Sequence, residues 1–270
     1  MTDDSMNIRS LQQMKRDGKK IVGVVAYDYQ MAQIVDRAGV DIVSVGDSVG
    51  INFWGHRSEL DVTLDEMILV CAAVRRGVKR ALVSCDFPFG PLQQGVDTAV
   101  RAAIRIVKEG GADLVKLDGA ASFPEAVGAI TRAGIPVWAQ FGITPHTALQ
   151  YGGMSKAGPE LATAMKDTLV EEAQRLERAG ASLLDFTNSG PVAGPAAVQA
   201  VTIPVIGGLG GGPWLDGRVR AVVPALGYVA SAIDDEKTER YANLARTSFD
   251  AIRTFAEDVR EGRQLKGQRG

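Results

Sequence analysis

Short apolar runs alternate along this chain with longer stretches in which apolar residues recur every third or fourth position. The short runs have strand length, and their near-continuous apolar character predicts strands covered on both faces. They fall near 21–26, 41–46, 81–86, 113–117, 136–140, 182–186 and 204–208, with a less regular eighth at 221–229. One junction recurs before them: AGVDIVSV (38–45), GGADLVKL (110–117), AGIPVWAQ (133–140) and AGASLLDF (179–186), with VTIPVIGG (201–208) as a looser version. Glycine just past a helix supplies the left-handed cap that other residues resist, so each junction reads as a helix end followed by a strand.

The longer stretches read as amphipathic helices, clearest in TAVRAAIRIVKEG (98–110) and KDTLVEEAQRLERAG (166–180), with a last helix over about 234–258. Eight strand–helix units in a chain of 270 residues predict a single (β/α)8 barrel over residues 1–260, followed by a polar tail at 261–270. A doubly wound open sheet is the competing architecture, but no GxGxxG follows the first strand. GLGGGP (208–213) suits a phosphate-binding barrel loop and a flexible turn equally.

Composition narrows the partners more than the fold. A formal net charge of -2 gives no electrostatic case for nucleic acid or an anionic membrane. No apolar run reaches the roughly 18–20 residues of a membrane span, and MTDDSMNIRSLQQMKRDGKK at the start lacks the apolar core of a secretory signal. The cysteines are Cys71 and Cys85, with no CxxC and no Cys/His cluster, so they read as structural thiols of a cytoplasmic protein.

In a barrel, chemistry sits at the C-terminal ends of the strands. There the sequence places Asp47 and Ser48 after strand two, Asp86 after strand three, and Lys116 with Asp118 on one side of strand four. Gln140 ends strand five, and Asp185, Thr187 and Asn188 end strand six. Any one acid at a strand end reads most simply as a cap for the following loop. Several on one rim would repel one another unless a cation sat among them. Carboxylate oxygens without a Cys/His cluster suit magnesium, with Asp47, Asp86 and Asp118 as the candidate metal-binding set. The two histidines, His56 and His146, are each either catalytic or loop residues making hydrogen bonds. No Ser-His-Asp arrangement or nucleophile elbow is visible.

The motifs VAYDY (25–29), VGDSVG (45–50), GH (55–56), VTLDEMILVCAAVRRG (62–77), CDFPF (85–89), VKLDG (115–119), FGITPH (141–146), YGG (151–153) and IPVIG (203–207) resemble, in order, those of ketopantoate hydroxymethyltransferases. That family belongs to the phosphoenolpyruvate mutase and isocitrate lyase superfamily of barrel enzymes. The resemblance implies transfer of a one-carbon unit from methylenetetrahydrofolate to 3-methyl-2-oxobutanoate, a magnesium ion, and a homo-oligomer. It implies that Asp47 and Asp86 bind the metal, that Ser48 and Lys116 hold the substrate carboxylate, and that Asp118 replaces a glutamate supporting the metal's water shell.

The resemblance also fails at specific positions. Its strand-six glutamate, the base that removes the C3 proton, aligns with Thr187, and its strand-five histidine aligns with Gln140. LGYVASAIDDEKTERYANL (226–244) departs from the family's glycine-rich ending. Candidates for a relocated base are Asp118, Asp185 and His146, with Asp185 facing the same side of its strand as Thr187 but one layer deeper. Three readings follow: hydroxymethyl transfer onto a 2-oxo acid, a paralogue using the same metal-enolate site for C–C cleavage or another carbon–carbon reaction, and a non-catalytic oxo-acid binder. The retained acids favour the first two.

Overall fold

The computed structural model describes residues 5–153, 156 and 159–267. Eight parallel strands close into a barrel in chain order. They are β1 (Ile21–Val25), β2 (Ile42–Val45), β3 (Leu82–Asp86), β4 (Leu114–Leu117), β5 (Val137–Gly142), β6 (Leu183–Thr187), β7 (Val205–Gly207) and β8 (Gly217–Ala221). The helices are α1 (Ile8–Arg16), α2 (Tyr29–Arg37), α3 (Leu64–Gly77), α4 (Val96–Arg105), α5 (Pro124–Arg132), α6 (Pro159–Ala164), α7 (Lys166–Ala179), α8 (Ala193–Ala200), α9 (Val222–Ala225) and α10 (Leu244–Arg260). The (β/α)8 architecture expected from the alternation is the one observed. The chain falls into two compact units, one ending at Arg220 and one beginning at Ala221. No helix of the described residues is long and apolar enough to cross a membrane.

The helix starts follow their side chains. Asp28 caps α2 by accepting from the Gln30 and Met31 amides. Thr63 and Glu66 form a reciprocal capping box on α3, satisfying amides that have no partner within the helix.

The eighth strand and the last helix correct the sequence expectation. β8 is GRVRA at 217–221, upstream of the predicted 221–229, where VVPA instead forms α9. Its arginines face out while Gly217 and Val219 face in, so the segment alternates and carries no apolar run to see. Pro224 cannot donate to a ladder and suits a helical first turn. A side chain at Gly217 would run into the Ile21 carbonyl, so glycine permits the close approach there. The last helix starts at Leu244, where Asn243 accepts from the Arg246 amide. Residues 234–243 form turns in which Asp235 accepts from the Lys237 and Thr238 amides.

One residue from each strand builds the barrel's apolar floor: Ile21, Ile42, Leu82, Leu114, Trp138, Leu183, Ile206 and Val219, joined by Leu11 of α1. These lie at or near the N-terminal ends of the strands. Because side chains alternate, the inward positions two and four residues further on are fixed. They are Ser44, Ser84, Lys116, Gln140 and Asp185 in one layer, and Asp86, Asp118 and Thr187 in the next. The apolar floor therefore gives way to a polar layer toward the C-terminal rim.

Candidate active site

Lys116 lies at the centre of the polar layer. Its Nζ is 3.3 Å from Asp86 Oδ2 and 3.3 Å from Asp185 Oδ2, and it sits 5.5 Å from the centroid of the Trp138 ring. Asp86 also accepts from the Ser44 hydroxyl at 3.4 Å. Asp47, in the turn after β2, lies 2.9 Å from His146 Nε2, and the His146 amide donates to Asp118 Oδ2 at 3.4 Å. Asp47, Asp86, Asp118 and Asp185 thus face two basic groups, Lys116 and His146. Asp118 Oδ1 and Asp185 Oδ1 are buried with no hydrogen-bond partner.

The electrostatics follow from burial and this excess of acids. Burial raises the Asp86 carboxyl to about 7, against the pull of Lys116 and with the help of Asp47. Burial likewise raises Asp185 and Asp118, opposed by Lys116 and His146 respectively. For Lys116 burial acts downward, but Asp86, Asp185, Asp118 and Asp47 overcome it and hold the ammonium charged. His146 is raised in the same way: burial lowers it, while the hydrogen bond to Asp47 and the charge of Asp118 prevail.

Among the described residues, no three His, Cys, Asp or Glu groups gather as a preformed metal cage. Magnesium does not need one, since it is ordinarily held by one or two carboxylates with water filling the remaining positions. The donors here fit that pattern: oxygen ligands only, more acids than bases, and on Asp118 a buried oxygen without a partner. Gly46 leaves room beside them, because a Cβ there would stand 3.0 Å from Ser48 Oγ and 3.8 Å from Asp86 Oδ2.

The remaining candidates divide. Ser48 Oγ is 2.8 Å from the Tyr27 hydroxyl. Gln140 Nε2 donates to Thr187 Oγ1 at 2.9 Å, so these two bond each other. Asn188 braces loops: it adopts a left-handed φ of 57°, and its Nδ2 donates to the Ile143 carbonyl at 3.0 Å. His56 packs 5.7 Å from Trp54, and its buried Nδ1 has no partner. At GLGGGP, Arg218 donates to the Gly208 carbonyl and to that of the preceding Gly207, and Gly212, together with Gly194 of α8, makes room for the Trp214 indole. The glycines thus serve close packing. Cys71 and Cys85 are buried free thiols.

A family model described as ketopantoate hydroxymethyltransferase matches residues 5–264. This chain belongs to the ketopantoate hydroxymethyltransferase family. A 3-methyl-2-oxobutanoate hydroxymethyltransferase of Cyanothece sp. is 40% identical over 257 residues, covering 94% of this chain and 96% of that protein. One from Flavobacterium johnsoniae is 40% identical over 252 residues, covering 93% and 91%. The chain is accordingly a hydroxymethyltransferase-like enzyme. Its fold also matches solved structures of other enzymes. A 2,3-dimethylmalate lyase superposes with TM-score 0.57 at 15% identity, covering 97% of this chain and 90% of the other. A phosphonopyruvate hydrolase gives 0.58 at 14%, covering 96% and 88%.

Sequence reasoning missed Ser44, Tyr27 and Asn52 as neighbours of these residues. Ser44 follows from strand parity, two residues after Ile42 of the apolar floor. Tyr27 sits inside the VAYDY motif, but nothing in the motif shows that its hydroxyl turns toward Ser48.

Proposed function

We propose that the enzyme transfers a hydroxymethyl group from methylenetetrahydrofolate to C3 of a 2-oxo acid, with 3-methyl-2-oxobutanoate giving ketopantoate as the first case. The observation that carries this reading is the position of Lys116 between Asp86 and Asp185 at the rim of a family-matched barrel, with Asp47 nearby on His146. Asp47 and Asp86 would hold a magnesium ion, and Asp118 would support its water shell. When bound, that ion would polarise the 2-oxo group and offset negative charge on its oxygen. A phosphonopyruvate hydrolase of the same fold was solved with oxalate and Mg2+. We assign this site a similar pairing of a small oxo anion with magnesium.

The chain's own residues supply the rest. The Ser48 hydroxyl and the Lys116 ammonium hold the substrate carboxylate. Lys116 stays charged among its acids, so it also favours negative charge developing on the substrate. A threonine hydroxyl at 187 cannot take a proton near neutral pH. Asp185 is the stronger replacement, because burial makes its carboxylate a better base and its Oδ1 has no competing partner. His146 is held toward its protonated form and suits a donor. Water opens the donor by adding to its methylene carbon, breaking both C–N bonds and releasing tetrahydrofolate with the carbon at the formaldehyde level. The electron pair released at C3 then forms the C–C bond to that carbon, whose oxygen takes a proton and becomes the hydroxyl.

A second reading has its own observation. Gln140 and Thr187 bond each other at the position where the resemblance implies a histidine and a glutamate. Loss of both titrating groups fits a paralogue that runs another carbon–carbon reaction, C–C cleavage included, on a different 2-oxo acid. Product NMR with 3-methyl-2-oxobutanoate, methylenetetrahydrofolate and Mg2+ separates the two. Ketopantoate resonances are expected; their absence, with substrate binding intact, would favour the second reading.

A further inference from the structure

Ser48 belongs to a hydrogen-bonded triangle with Tyr27 and Asn52. Asn52 Nδ2 lies 2.9 Å from the Ser48 carbonyl oxygen and 3.2 Å from the Tyr27 hydroxyl. A carbonyl only accepts, so it fixes which end of the Asn52 amide is nitrogen. That nitrogen has a second hydrogen, and the Tyr27 oxygen is its acceptor. With its oxygen accepting from Asn52, Tyr27 has its own O–H left to donate, and Ser48 Oγ is 2.8 Å away. When Tyr27 donates in this pair, Ser48 accepts and its own hydrogen is left to be directed elsewhere.

The surroundings hold this arrangement in place. Asn52 lies in a single turn of π-helix, Gly50–Trp54, and its backbone amide donates to the same Ser48 carbonyl at 2.9 Å. Such turns recur at functional sites because they aim a side chain that a regular helix would direct elsewhere. Tyr27 is 5% exposed, and its ring meets Phe53 edge-on at 5.2 Å. Burial pushes the Tyr27 phenol up to about 12, against the pull of its bonds to Ser48 and Asn52, so it keeps the proton it donates.

We infer that Tyr27 is a positioning residue: together with Asn52 it sets the Ser48 hydroxyl as a hydrogen-bond donor toward the substrate carboxylate. The inference rests on the Ser48 role proposed above. An unconstrained hydroxyl accepts as readily as it donates. One whose acceptor side is already filled favours an anion over a neutral carbonyl compound, which adds selectivity for the acid.

The test is a double-mutant cycle on the full chain with Mg2+, using calorimetric binding of 3-methyl-2-oxobutanoate and steady-state kinetics. Tyr27→Phe should weaken binding about three- to tenfold and raise KM with kcat within about twofold, as expected when an oriented bond to a charged group is lost uniformly. Ser48→Ala should cost at least as much, and adding Tyr27→Phe to it should cost nothing further. Asn52→Ala, which leaves the phenol in place, should give a smaller loss that also vanishes in the Ser48→Ala background. If Tyr27→Phe does not fold, the Asn52 pair decides alone. Additive losses, or a fall in kcat at unchanged KM, would overturn the relay while leaving the proposed function standing. A parent protein that binds no 2-oxo acid would overturn both.

Discussion

Gln140 donates from Nε2 to the Thr187 hydroxyl at 2.9 Å, across the inward faces of β5 and β6. Both side chains are buried, and neither titrates near neutral pH. The pair fills a position where proton transfer would be expected and satisfies its own polar groups there, so each residue makes the other tolerable. Changing one alone would strand a buried donor or acceptor, at a cost of about 1–3 kcal/mol.

Restoring the titrating pair should therefore work best as a double change. Gln140→His with Thr187→Glu is expected to raise C3 proton exchange by about 10²-fold, the lower end of what a positioned base supplies. Either single change should give less. The comparison is made by NMR in deuterated water. An unchanged rate in the double variant would mean that the base elsewhere already suffices.

Lys116 separates buried acids, so its removal should be felt in stability as well as in binding. Lys116→Met leaves Asp86 and Asp185 without their shared cation. Urea unfolding should show a loss of about 3–5 kcal/mol at pH 8. Burial raises both carboxyls, so at pH 5.5 more of each is protonated and the loss should be smaller. A loss independent of pH would contradict this account of the pairing.

Asp86 gives a pH dependence whose sign can be worked out. Its carboxyl is raised from the ordinary 3.8 to about 7, so the folded protein binds a proton that the unfolded chain releases. That contribution is fully present below about pH 4 and is lost as pH rises through about 7. Without metal, stability should fall across this window through Asp86 by at most about 4 kcal/mol, and Asp86→Asn should flatten the fall. Magnesium competes with the same proton, so its affinity should rise with pH through about 7 and its binding should release protons. Calorimetry in buffers of different ionisation enthalpy measures that release.

Gly46 is a tightly packed point of the rim. An added Cβ would stand 2.9 Å from Val25 Cγ1 and 3.0 Å from Ser48 Oγ, so the neighbours would have to move. Gly46→Ala is expected to cost about 1–3 kcal/mol of stability and to weaken 2-oxo acid binding through displacement of Ser48. Binding at parental strength would show that Ser48 has more freedom than this packing allows.

Much of this was legible in the chain because periodicity and parity carry it. Seven strands announce themselves as apolar runs, and counting two and four residues onward from Leu114 and Leu183 places Lys116, Asp118, Asp185 and Thr187 inward. β8 escaped because its exposed arginines break the run, and the VVP that follows looks more strand-like than it is. The partnerships were not legible. His146 is 99 residues from Asp47 in sequence, and Tyr27 is 21 residues from Ser48. Such pairs depend on loop paths that local patterns do not encode, which is why the histidine could be singled out but not given a partner.

The most direct test of the central claim is proton NMR of 3-methyl-2-oxobutanoate with Mg2+ in deuterated water, without any folate. Exchange at C3 is predicted, abolished by a chelator and by Asp47→Ala with Asp86→Ala, and strongly reduced by Asp185→Asn. No exchange by the parent protein at any magnesium concentration would contradict the claim that this rim generates an enolate from that acid.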